Sequence, residues 1–208
     1  MTDHLKNHPQ KIPLFPLSGA ILLPHGNLPL NIFEKRYLAM TEYALSHNRF
    51  IGMVQSRSED ASLEHVGCLG RISHFEETDD GRYLINLKGI TRFEIKSQEQ
   101  NPHGFLLAEV DYTPYSFDHH QDGQIDFNRE QFLKILRLYL RQNEMICDDW
   151  DQIATVPPEK LITTLSMICP FSQTQKQNLL EAPHTSARAA LLMRFFCDAL
   201  TISCTAEA

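Results

Sequence analysis

Glycine is the most unevenly missing residue in this chain: all nine lie between Gly19 and Gly123, and none follows. The first part is therefore expected to be rich in tight turns and the second rich in helices. No Gly-Lys dipeptide occurs, which excludes the phosphate-cradling loop G-x-x-x-x-G-K-[ST]. No run of about 18 apolar residues exists either, so no segment is predicted to span a membrane. Positive charge is also short. The formal net charge is -7, and the basic residues are scattered, with Lys134, Arg137 and Arg141 decorating one predicted helix face. Nucleic-acid binding, which relies on basic stripes that displace counterions, is not expected.

The five cysteines (Cys68, Cys147, Cys169, Cys197, Cys204) are far apart and form no C-x-x-C pair, which argues against a zinc ribbon or a thioredoxin-type site. Residues 1–10 are polar and lack the apolar core of a signal peptide. Together these features predict free thiols and a cytoplasmic location. What is present suits a soluble globular fold: 208 residues, 42% of them hydrophobic, enough for one large domain or two small ones.

From Ile12 to Tyr37, Pro13, Pro16, Pro24 and Pro29 interrupt short apolar runs. No long helix passes through such a stretch, and its runs are punctuated like edge strands. A helical pattern begins at Glu34 and reaches about His47. Strands are predicted over residues 50–55, 66–75, 82–87, 91–96 and 105–112, with Asp79-Asp80-Gly81 as a hairpin turn. Such a set predicts a strongly curved sheet or partly closed barrel. A linker rich in His, Asp, Pro and Gly follows over residues 112–126. Beyond it come helices carrying Leu133, Leu136 and Leu140 on one face with Phe132 and Tyr139 beside them, then Leu161, Ile162, Leu165 and Ile168 after Pro157-Pro158, then residues 174–181 and 185–200. Thr185 or Ser186 is the expected cap of the last.

Several separated motifs carry a family resemblance. The opening Leu28-Pro-Leu-Asn-Ile-Phe-Glu-Lys-Arg-Tyr37 resembles that of the N-terminal, substrate-recognition domain of Lon, an ATP-dependent protease. Gly67-Cys68-Leu69-Gly70-Arg71-Ile72 is similar to that family's V-G-t-x-a-x-I strand. Asp80-Gly81-Arg82 followed by Gly89-x-x-Arg92-Phe93 is similar to its D-G-R…G-x-x-R-F segment. Leu179-Leu180-Glu181 with Arg188 resembles its closing motif. The likeness runs from about Ile12 to Leu200 and departs at Ser58–Glu64, where many relatives carry G-x-E. It implies an α+β fold: a β-rich pseudobarrel with one helix over residues 1–122, then a helical bundle over 123–208.

The implied function is non-catalytic recognition of unfolded or tagged polypeptide in protein quality control, with a protease or adaptor as a further partner. The late serines Ser166, Ser172 and Ser186 lack the glycine neighbours of a Lon-type peptidase turn, so a recognition domain without motor or protease is expected. The alternatives are a small-molecule sensor or enzyme using a cleft between the subdomains, and a structural adaptor or oligomerisation module.

The candidate peptide-binding residues are Pro24, His25, Asn31, Phe33, Glu34, Arg36 and Tyr37. Their competing role is structural, with Phe33 packed under the helix, Tyr37 covering the sheet and Glu34 favourably placed at the helix N-terminus. No cofactor or metal is expected. His119, His120, Asp122 and Asp126, with His103, read as a solvated linker rather than a ligand set. Asp148, Asp149 and Asp151 around Trp150 read as a loop or cap rather than paired acid and base. Cys68 has no sequence-adjacent base to make it a nucleophile.

Overall fold

The computed structural model describes residues 8–57, 62–119, 125, 127–145 and 150–202. Its six strands are β1 (Lys11–Pro16), β2 (Asn27–Ile32), β3 (Phe50–Val54), β4 (Val66–Glu77), β5 (Tyr83–Gln100) and β6 (Leu106–Asp111). Helix α1 (Lys35–Ser46) lies between β2 and β3, and a kinked pair of 3-10 turns (Thr113–His119) follows β6. Then come α2 (Arg129–Gln142), α3 (Trp150–Thr155), α4 (Pro158–Ile168), α5 (Gln173–Glu181) and α6 (Thr185–Leu200). The fold is α+β, with the expected succession of strands and then helices. Among the described residues no helix is long and apolar enough to cross a membrane.

The strands pair in the order β2-β5-β4-β3-β1-β6, and β6 pairs again with β5. Five strands thus close a ring and leave β2 as an appended edge. Ile12, Leu14, Val54, Leu69, Phe93 and Val110 fill the ring's interior. Pro29 sits in the edge strand, as its missing N–H requires. β1, which reads as an edge strand, instead lies between β3 and β6. Its prolines are tolerated because the ladder to β3 starts at Leu14, after Pro13, and Pro16 is the last residue of the strand.

The two strands expected over 82–87 and 91–96 are one, β5, whose first half pairs with β2 and second half with β6. Gly89 does not interrupt it. The glycine admits another stretch of backbone: a Cβ there would stand 2.0 Å from the Leu23 carbonyl oxygen. Its own carbonyl accepts the His25 N–H at 3.0 Å, and its N–H donates to the Gly26 carbonyl at 2.8 Å. Gly81, by contrast, turns the β4–β5 hairpin with φ 78°, a conformation that costs a glycine little.

The chain divides into two compact units, one of Met1–Gln121 with Phe171–Leu180, the other of Asp122–Pro170 with Glu181–Ala208. Phe171–Leu180, expected in the helical half, groups with the strands because of buried amides. Gln55 Nε2 donates to Gln177 Oε1 at 2.9 Å and to the Gln173 carbonyl at 3.1 Å, while Gln177 Nε2 donates to the Val66 carbonyl at 3.2 Å.

The strand unit also buries an ion pair. Arg92 Nη2 stands 2.7 Å from Asp118 Oδ1, and the two side chains are 4% and 6% exposed. Arg92 Nε also bonds that carboxylate, the Arg92 backbone N–H donates to Asp118 Oδ2 at 2.8 Å, and Nη1 donates to the Leu180 carbonyl at 3.0 Å. The guanidinium lies over the Tyr115 ring, 4.5 Å from its centroid.

In the other unit Phe132 and Tyr139 of α2 meet Phe196 of α6 at ring separations of 5.8 and 4.6 Å. Asn128 caps α2 by accepting the Gln131 N–H. The cap of α6 is His184, whose Nδ1 accepts the Ala187 N–H at 3.1 Å, and not Thr185 or Ser186. Cys68 and Cys169 are buried and form no disulfide, but Cys197 is disulfide-bonded, which corrects the expectation of thiols throughout. Sequence separation does not report which sulfurs a fold brings together. The histidine-rich stretch over 120–124 and 126, Asp148 and Asp149 lie outside the described residues.

Two outcomes follow from these interiors. Asp118→Ala leaves a buried guanidinium uncompensated and should lower urea-denaturation stability by about 3–5 kcal/mol, whereas Arg92→Met with Asp118→Leu should recover most of it. A loss under about 1 kcal/mol for Asp118→Ala would show the pair to be dispensable. Burial pushes the Tyr139 phenol up to about 12, above its unfolded value near 10. Its contribution is therefore complete below about pH 10 and lost as the pH rises toward about 12. Circular dichroism across that range should show a steeper loss in the parent protein than in Tyr139→Phe.

Candidate peptide-binding site

β2 leads directly into α1, and its alternating pattern decides which side chains the junction presents. Ile32 takes the inward position and is 1% exposed, so Phe33 is turned outward and is 64% exposed. This corrects the reading of Phe33 as packed under the helix. Tyr37, one turn into α1, does cover the sheet: its ring meets Phe15 edge-on at 4.5 Å. Desolvation raises the Tyr37 phenol above its ordinary value.

Glu34 occupies the N-cap position without a side-chain capping bond. Its carboxylate instead takes Arg36, at 2.9 Å from Nη2, and the guanidinium stacks over the Tyr37 ring at 4.5 Å from its centroid. Asn31, Phe33, Glu34 and Arg36 are exposed, Tyr37 is buried, and all belong to one junction. Pro24 and His25 do not join them. They precede the other end of β2, roughly 20 Å away along a six-residue strand. Pro24 is buried there, and exposed His25 has a φ of 64°, held by its N–H bond to Gly89.

Two further residues escaped the sequence reading. Leu84 of β5 is 36% exposed and stands in register between Asn31 of β2 and Glu76 of β4. Phe75 of β4 is 39% exposed, with its ring 5.0 Å from that of Tyr83. The signal was a phase error: in Leu84-Ile85-Asn86-Leu87, Leu84 shares the solvent face with Asn86 yet is apolar. Leu84 thus shares a sheet face with Asn31, whereas Phe75, opposite Ile85, lies on the other face. Among the described residues no three potential metal-ligating side chains lie together.

The model of the ATP-dependent protease La (LON) substrate-binding domain matches residues 11–198. The chain belongs to the Lon substrate-binding domain family. It is 27% identical over 191 residues to the Lon protease of Buchnera aphidicola subsp. Schizaphis graminum, a match covering 88% of this chain and 24% of that protein. With the Lon protease of Desulfosudis oleivorans the identity is 22%, covering 93% and 24%. The chain thus spans about a quarter of the length of these Lon relatives. A Lon N-terminal domain protein from Xanthomonas campestris has the same fold, with a TM-score of 0.62 at 22% identity over 90% of this chain and 99% of that one. The N-terminal domain of a Mycobacterium avium complex Lon protease also scores 0.62, at 19% identity over 90% and 98%.

An exposed aromatic contributes little to folding. Phe33→Ser should change thermal and urea stability by no more than about 0.5 kcal/mol. A loss of the about 3–5 kcal/mol seen for core aromatics, read from the same denaturation curves, would return Phe33 to the interior.

Proposed function

We propose that this chain recognises unfolded or partly folded polypeptide without acting on it chemically, through apolar surface at the β2–α1 junction. The observation that carries the reading is the outward Phe33, presented beside the Glu34–Arg36 pair and the buried Tyr37 that backs it. Membership of the Lon substrate-binding domain family supports it. A large apolar side chain left in water on a well-anchored turn is surface available to a partner. It requires no loop rearrangement before contact, so little ordering is added to the cost of binding.

Asn31 supplies amide donors and acceptors for an extended backbone, Leu84 extends the apolar contact, and the Glu34–Arg36 pair borders it with charge. A protease or adaptor then receives what is held here, and the role belongs to protein quality control. A contact of a few side chains, each contributing about 1.5–3 kcal/mol before ordering costs, gives micromolar affinity at best.

Fluorescence anisotropy with labelled, reduced and carboxymethylated protein fragments tests this. Saturable binding is expected, weakened about tenfold in Phe33→Ser with Leu84→Ser. Absence of saturation at several hundred micromolar protein, or binding indifferent to both substitutions, would remove the proposal. The same preparation should hydrolyse neither ATP nor casein, and turnover that survives further chromatography would contradict the non-catalytic reading.

A further inference from the structure

β2 is the edge of its sheet. It pairs with β5 on one side, and among the described residues no strand pairs with the other. Residues 8–57, which hold β2 and the segments on both sides of it, are described throughout. Register fixes which backbone groups this edge presents. The Gly89 N–H donates to the Gly26 carbonyl at 2.8 Å, next to the pair Asn27 and Lys88. Bonded and non-bonded positions alternate along an antiparallel pair. Leu28, Leu30 and Ile32 therefore aim their N–H and C=O groups at β5, whereas Asn27, Pro29 and Asn31 aim theirs away. Pro29 falls among the outward positions, where its missing N–H takes nothing from the β5 ladder. The open edge offers the N–H groups of Asn27 and Asn31 and the carbonyls of all three.

The side chains beside this edge are apolar. Leu28 and Leu30 lie on the face where Ile32 is enclosed, yet both are only half-buried. No charge blunts the strand, since Asn27–Ile32 has no ionisable side chain. The overhanging half of β4 differs. Its pairing with β3 ends at Arg71, and beyond that it has an irregularity between Ile72 and His74 and carries Glu76 and Glu77. Bulges and charges of this kind keep an edge from pairing.

Resting on the reading that this chain recognises unfolded polypeptide, we propose that the client joins β2 as an added antiparallel strand. Client residues opposite Asn27 and Asn31 each exchange two backbone hydrogen bonds, and the one opposite Pro29 donates its N–H. Residues opposite Leu28 and Leu30 lay apolar side chains against them, and the N-terminal end of the segment reaches Phe33. The substrate class is an extended segment with apolar residues at alternate positions. Main-chain bonds supply affinity whatever the sequence, and the alternation supplies selectivity. A second copy of this chain fits less well. The alignment that sets Asn27 against Asn31 also sets Pro29 against Pro29, leaving two carbonyls with no donor between them.

In such an addition the client residues that bond β2 are not those that cover Leu28 and Leu30, which makes the test directional. A labelled nine-residue peptide of alternating threonine and valine is compared by fluorescence anisotropy with two N-methylated forms, one blocked at every threonine and one at every valine. The valine-methylated form should bind as the parent peptide does, and the threonine-methylated form should bind at least about tenfold more weakly. On saturation the Asn27 and Asn31 amides should slow in hydrogen exchange. Asn27→Pro, at the far end of β2 from Phe33, should weaken binding about two- to tenfold with an unchanged thermal melt. If that variant melts early, exchange protection in the parent protein decides in its place. Equal or reversed effects of the two methylations would overturn strand addition. So would a dimer in sedimentation that Asn27→Pro dissolves, which would give the edge to a second copy. Unfolded fragments that bind through Phe33 while no peptide form binds would also overturn it, leaving the recognition reading in place. Absence of saturable binding by fragments and peptides alike would remove both.

Discussion

A guanidinium withdrawn from water is tolerable only when its donors are answered, and Arg92 meets that condition with partners from two other elements of the strand unit. Its partners are the Asp118 carboxylate, which it engages through both side-chain and backbone N–H groups, and the Leu180 carbonyl. The Tyr115 face completes the enclosure. These contacts fasten the 3-10 turns and the end of α5 against β5, the strand shared by ring and appended edge. Desolvation makes such a pair unforgiving, since either charge alone would be stranded. The arginine therefore specifies where the chain goes after the ring closes as much as it adds stability.

The same strand governs the recognition surface. β5 carries β2 on its first half, and β2 delivers Phe33 to the solvent at its end. The outward aspect of Phe33 is thus a consequence of strand register and not of a loop's choice. Moving the register by one residue would exchange Ile32 and Phe33 between interior and water. Pairing of Asn27–Ile32 with β5 holds the register on one side, and the approach of the Leu23–Gly26 turn to Gly89 holds it at the other end.

Local patterns made much of this legible. The α1 helix was expected over about Glu34–His47 and spans Lys35–Ser46, and the Asp-Gly hairpin lies where its turn chemistry put it. What escaped were features set by partners distant in sequence. Gly89 reads as a strand end until the Leu23 carbonyl is seen against it. α5 carries only a weak apolar stripe, and its place among the strands rests on Gln55 and Gln177, amides whose partners no periodicity reveals. Phe33 was misjudged because an aromatic beside a helix start usually packs inward, and only the strand phase of Ile32 decides otherwise.

Closure of the ring joins the earliest strand to the last: Lys11 stands opposite Glu109, and Leu14 opposite Leu106. A ribosome adding roughly 5–20 residues per second takes about 5–20 s to synthesise the stretch that separates them. For that interval β1 has emerged, but one of its two neighbours does not yet exist. Its apolar face and unpaired backbone are then open to other nascent chains and to non-native pairing. Pro13 and Pro16, awkward inside a finished ring, withhold N–H groups that a wrong partner would need. The prolines of the opening sequence thus serve the protein before it is complete, by keeping the first strand from settling early.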